Sequence, residues 1–190
     1  MRFVLLPLTL IAMFDSPAFA HPGADHTHSL TSGLLHPLNG ADHVFVMASV
    51  GVWAALVGGR SIWVWPATFI AVMLAGFGAA RLGLQISFVE SAISASIVVF
   101  ALLAAVGIKT PLAFGVAIVG LFAFFHGHAH GTEATEVGVL PYAAGFTFST
   151  AVLHAVGIGL GLCIRSLIDR IAVTPTWRMQ GAAGDRGELR

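Results

Sequence analysis

The sequence predicts an all-α polytopic membrane bundle, a cleaved signal peptide followed by about five transmembrane helices. Three observations predict it. The 190 residues are 57% apolar and only 9% charged, whereas a soluble domain carries about 25% charged residues. That is too little charge to coat a water-facing surface. Mean hydropathy is +0.89. The apolar residues also fall into runs close to the roughly 20 residues that cross a bilayer.

The elements follow in chain order. Residues 1–20 open with Arg2, run apolar from Phe3 to Phe14 and end Ala18-Phe19-Ala20. This is the charge, apolar stretch and small-residue site of a signal peptide, with cleavage expected after Ala20. The alternative is an uncleaved first membrane helix. Residues 21–33 are then an external, His-rich segment. Five spans follow, at 34–58, 61–81, 86–107, 111–130 and 139–165, within a transmembrane domain of residues 34–170. Their breaks are short, which predicts that successive helices are antiparallel neighbours. Gly127 with Gly131 and Gly157 with Gly161 are spaced for close helix contact. Residues 171–190 are polar and Gly-rich, the signature of a disordered tail.

Basic residues set the orientation. With the mature N-terminus outside, Arg60, Lys109, Arg165, Arg170, Arg178, Arg186 and Arg190 fall inside and Arg81 alone falls outside. The signal peptide gives the same orientation independently. A formal net charge of zero leaves no footprint for nucleic acid. Cys163 is the single cysteine, so no internal disulfide forms, and its apolar neighbours predict a packed thiol.

Histidine is the anomaly: nine, against nine Lys plus Arg. Ionisable groups at membrane depth cost several kcal/mol and need a reason. The first span carries His36, Asp42 and His43, the third Glu90, the fourth His126, His128, His130 and Glu133, and the fifth His154. In the predicted orientation the groups of the first, third and fourth spans lie toward the outside. His154 lies deeper, either as a helix–helix hydrogen bond or as an inner station. His126, His130 and Glu133 share one helical stripe, while His128 is rotated about 200° from His126. His36 and His43 share a face but would stand about 10 Å apart on an unbroken helix. Unwinding at Asn39-Gly40, after Pro37, would bring them together; otherwise they are successive stations. Imidazole with carboxylate suits nickel, cobalt, copper or zinc, and the lack of thiolate argues against Cu(I). Met47 reads as packing rather than as a thioether ligand. His21, His26 and His28 are either a metal-gathering arm or a solvated segment.

These segments resemble the HupE/UreJ family of nickel permeases. His36, Asp42 and His43 stand in HPLNGADH, which matches the family pattern H-x5-D-H. Phe125, His126, His130 and Glu133 stand in FHGHAHGTE, which matches F-H-G-x-A-H-G-x-E with the position of His128 free. The resemblance covers nearly the whole chain. It implies import of a divalent cation, Ni2+ or, as in some members, Co2+, for hydrogenase or urease maturation. It also implies a multi-pass protein of the bacterial inner membrane, with a periplasmic N-terminus and a cytoplasmic C-terminus. The primary metal residues are then His36, Asp42, His43, His126, His130, Glu133 and Glu90. His128, His154, His21, His26 and His28 are secondary candidates. No resident cofactor is expected; the metal is cargo. Neither a P-loop nor an HExxH pattern occurs, so the chain is not read as an enzyme. The rival reading is a membrane sensor or delivery protein that binds metal without moving it. Five helices make a thin wall for a pathway, which leaves room for a homo-oligomer.

Overall fold

The computed structural model describes residues 30–107, 110–134 and 138–173. The expected signal peptide, the segment with His21, His26 and His28, the loop residues Lys109 and Glu136, and the chain after Val173 lie outside the described residues.

Among the described residues the chain is all helix: α1 (Leu30–Asn39), α2 (Ala41–Val57), α3 (Ser61–Arg81), α4 (Val89–Val106), α5 (Leu112–Glu133) and α6 (Val139–Val173). Helix is the expected solution for apolar spans, because it satisfies every backbone N–H and C=O without water. Helices α3 to α6 are each long and apolar enough to cross a membrane. Helices α1 and α2 pass that test together but are bent by 82° at their junction, so the first predicted span is not one continuous helix. Helix α6 runs on to Val173, past the expected end of the fifth span and into the stretch expected to be disordered.

Sequence neighbours are not the main packing partners, contrary to expectation. Helix α3 packs most extensively on α5, and α2 on α6. The reason is small residues. Gly127 lies against the backbone of Met73, Gly131 against Phe77 and Gly76 against Phe124, so α3 and α5 run parallel and nearly touching. Gly157 lies against Ala48 and Gly161 against Val52 and Ala55, which sets α2 parallel to α6. Backbone contact of this kind outweighs loop length in choosing partners. Helix α1 folds antiparallel onto the start of α6, with Gly33 on Tyr142 and Gly145 on Leu30.

The core is a column of large side chains between these pairs. Trp65, Phe69, Met73 and Phe77 form a four-residue stripe down α3, facing Met47 and Trp53 of α2, Phe100 of α4 and Phe146 of α6. Met47 is fully buried in that cluster, as packing predicts. Trp53 and Trp65 stack with ring centroids 4.0 Å apart, and the Trp65 Nε1–H donates to the Leu112 carbonyl at 3.2 Å. They close one end of the bundle; the histidines occupy the other. Cys163 is exposed on α6, which corrects the packed-thiol expectation. Apolar neighbours in a membrane helix mark lipid-facing and buried positions alike.

Candidate metal centre

The site begins with the break between α1 and α2. Pro37 inside α1 removes a backbone donor, and Gly40 turns extended at φ −97 and ψ 112. The chain then restarts as α2 with Asp42 in its first turn, where a carboxylate complements the positive helix end. The bend folds His36 back over His43, with ring centroids 5.8 Å apart. The two residues therefore belong to one place.

Helix α5 supplies the other side. Its last two turns carry His126 and His130 on the face toward α2. The His43 ring centroid is 5.1 Å from that of His126 and 5.1 Å from that of His130. His36 and His130 are 4.7 Å apart. One nitrogen from each of His36, His43 and His130 lies within 4.8 Å of the others. That spacing is close enough for one ion to draw all three onto itself with small side-chain movements. His130 stacks flat on Phe146, 4.6 Å away at an interplanar angle of 11°, which fixes its plane.

Two carboxylates flank the imidazoles. Glu133 Oε2 is 3.2 Å from His36 Nε2, and Asp42 Oδ1 is 3.1 Å from His43 Nδ1. Arg81 holds the end of α5 by donating from Nη1 to the Ala134 carbonyl at 2.7 Å. The C-terminal ends of α1 and α5 both lie at the cluster, and their dipoles favour a cation.

Hydrogen bonding leaves the cluster under-satisfied. Among the described residues, both ring nitrogens of His130, Nε2 of His43 and Nδ1 of His126 are buried without a hydrogen-bond partner, while Nδ1 of His43 faces Asp42. Buried polar atoms normally have one, so this density of bare nitrogen calls for a ligand. A neutral imidazole is a good donor to borderline d-block cations, and carboxylates offset their charge.

Not every residue singled out from sequence joins the cluster. His128 points away and pairs through Nε2 with the Leu84 carbonyl at 2.8 Å, in line with its helical phase. Glu90 sits exposed on the first turn of α4 and makes no hydrogen bond or ion pair to the cluster. The buried stripe of α4 is Val89, Ile93, Ser96 and Phe100, and Glu90 lies off it, so shared depth did not bring it into the pocket. His154 is fully buried but deeper, with its ring 5.0 Å from Phe69. Sequence reasoning missed Ser96, which contacts His126 Nε2 at 3.1 Å, and Phe69, whose ring is 5.6 Å from that of His126. The four-residue spacing Trp65, Phe69, Met73, Phe77 was the available signal for the second.

Comparison with known proteins agrees with this picture. The model of the HupE / UreJ protein family matches residues 8–184. The "Protein HupE" of Rhizobium leguminosarum bv. viciae is 38% identical over 162 residues, which cover 84% of each chain. No solved structure gives a significant match. A family match over most of the length, with a relative 38% identical over 84% of the chain, makes this chain a member of the HupE/UreJ family.

Proposed function

We propose that the chain is a permease that brings a divalent transition-metal cation, Ni2+ first, across the bacterial inner membrane from the periplasmic side. The observation that carries the proposal is the meeting of His36, His43 and His130 from three separate helices, with ligand nitrogens within 4.8 Å. Family membership supports a role in metal transport or in hydrogenase and urease maturation. Charge bias supports the orientation, with Arg60 and Arg165, which lies against Gly58, at the Trp53–Trp65 end of the bundle and the histidine cluster at the other.

The chemistry runs as capture, dehydration and passage. Glu133 and Asp42 draw the hydrated cation to the mouth of the cluster. The imidazoles replace its water ligands one by one. The carboxylates then offset charge that the low-dielectric surroundings would otherwise make prohibitive. Entry needs no nucleotide: the membrane potential supplies about 4.6 kcal/mol for a divalent ion at 100 mV, enough for accumulation on the order of a thousandfold.

The test is uptake of radioactive nickel into liposomes holding the purified chain under an inside-negative potential, with cobalt, zinc and copper as competitors. Nickel accumulation above protein-free liposomes, displaced first by cobalt, is the expected result. Stoichiometric binding without accumulation would replace the permease with the sensor or delivery reading. Preferential accumulation of cobalt would change the cargo and leave the mechanism standing.

A further inference from the structure

Below the outer cluster, two histidines each carry one committed nitrogen and one bare one. Ser96 Oγ donates to the Ile93 carbonyl at 2.6 Å, so its lone pairs face His126 Nε2 at 3.1 Å. The shared proton therefore sits on Nε2, and His126 Nδ1 is left as a buried lone pair without a partner among the described residues. His154 Nδ1 is 2.8 Å from the Thr150 carbonyl. A carbonyl only accepts, so the proton is on Nδ1. Nε2 of His154 is then the second buried lone pair without a partner among the described residues.

A helix–helix tie would explain one of these histidines and not the other. His126 links α5 to α4 through Ser96. His154 bonds only a carbonyl four residues back in its own helix, so it ties nothing together. Its committed nitrogen instead fixes the tautomer that presents Nε2 as a donor, the usual arrangement around a metal-binding imidazole. The residue is fully buried, and hydrogen bonding alone gives no reason for an imidazole there.

We propose that His154 Nε2 is the anchor of a second, inner cation station, reached from the outer cluster through His126. The contacts lay out the route. His126 is 5.1 Å from His43 of the outer cluster, centroid to centroid. Phe69 packs against both His126 and His154, at 5.6 and 5.0 Å, and walls the step between them. Met73, on the same stripe of α3, presents a buried thioether that accepts from Thr150 Oγ1 at 3.9 Å. Beyond lies the Trp53–Trp65 stack, so the station is closed from that end. Its one donor is the His154 imidazole, the Met73 thioether stands nearby on Thr150, and among the described residues no carboxylate contacts the His154 ring. Such a set takes a borderline or soft divalent d-block cation. Without an anionic ligand it holds the ion less firmly than the outer cluster does, which suits a station from which the ion must leave.

This inference rests on the permease reading, and the test separates the two. Nickel binding to the purified full chain in nanodiscs is measured by calorimetry, and nickel uptake is measured in liposomes, for the wild type and for His154→Gln. The wild type is expected to bind two ions per chain, one at least tenfold more weakly. His154→Gln is expected to keep the tight class unchanged, lose the weak class and lose at least tenfold in uptake rate. Wild-type binding of a single ion up to millimolar nickel, or unchanged weak binding in the variant, overturns the inner station. Wild-type liposomes that bind two ions but accumulate none overturn transport and leave the station in place. Should His154→Gln not fold, His154→Met answers the same question. Retained cadmium binding with lost nickel binding in the weak class supports the station, and unchanged nickel binding removes it.

Discussion

Nε2 of His36 lies 3.2 Å from Oε2 of Glu133, a contact between the last turn of α1 and the last residue of α5. Nearly a hundred residues separate the two along the chain. The contact exists because Pro37 and Gly40 end α1 and turn it by 82° from α2, back across the mouth of the bundle. In the proposed permease, Glu133 would meet an incoming ion together with His36.

Glu133→Gln keeps the shape and removes the charge. The Glu133 side chain is 47% exposed, so the pair adds little to stability, within the 0 to about 1 kcal/mol of a solvated ion pair. Uptake at limiting nickel is expected to fall about tenfold or more, the equivalent of roughly 1.4 kcal/mol of lost ion affinity. The apparent melting temperature should move by less than about 4 °C. Nickel uptake and a thermal melt on the same preparation check both. A large drop in melting temperature would reassign Glu133 to the scaffold.

His130 and His128 sit two residues apart, and their variants should part company. His130→Ala, like His43→Ala, is expected to abolish uptake at limiting nickel while membrane levels hold. Among the described residues His130 has no hydrogen-bond partner to lose, and His43 loses only the contact of its Nδ1 with Asp42. His128→Ala breaks the part-buried bond to the carbonyl of Leu84, an exposed residue. Its expected cost is about 0.5–1.5 kcal/mol of stability for that bond, with nickel affinity unchanged. Calorimetric nickel titration beside urea or thermal denaturation distinguishes the two. Equal nickel affinity in both single variants would remove His130 from the site.

Gly127 and Gly78 offer the same contrast for the scaffold. A Cβ on Gly127 would meet the Met73 carbonyl at a separation no real contact tolerates. Gly127→Ala must push α3 away from α5, with an expected cost at or above the roughly 1–3 kcal/mol of ordinary overpacking. Gly78 has open space around it within α3, so Gly78→Ala should be neutral or stabilise slightly through helix propensity. Yield of monodisperse protein and melting temperature are the readouts, and a well-folded Gly127→Ala would contradict the close α3–α5 contact.

The spans and most of the site were legible because they depend on local pattern. Apolar run length gave α3 to α6, and the helical repeat separated His128 from His126 and His130. The Gly127–Gly131 and Gly157–Gly161 spacings marked close contacts without naming the partner helix. Pairing of α3 with α5, rather than with its chain neighbour, depends on which surfaces fit. One helix does not encode that. Glu90 shows the same limit: membrane depth follows from position along a span, but direction around the helix axis follows from the stripe Val89, Ile93, Ser96 and Phe100. The tautomers of His126 and His154 were beyond reach, because they are set by Ser96 and by a backbone carbonyl.

Gly40 puts the broken helix itself to the test. Its φ of −97 and ψ of 112 lie in the extended region open to any L-residue, so glycine is not there for backbone freedom. It is there for space. A Cβ would meet Asp42 Oδ1 at 2.7 Å and His43 Nδ1 at 2.9 Å, both side-chain atoms rather than backbone. Gly40→Ala should therefore leave the bend and the fold intact while forcing Asp42 and His43 off their present positions. Nickel affinity is expected to fall by about tenfold or more, roughly 1.4 kcal/mol. The melting temperature should stay within a few degrees or rise, because alanine restricts the unfolded chain more than glycine does. Calorimetry and a thermal melt on the one variant decide the matter. Unchanged nickel affinity would mean that Asp42 and His43 do not bind the ion from the positions they occupy beside Gly40.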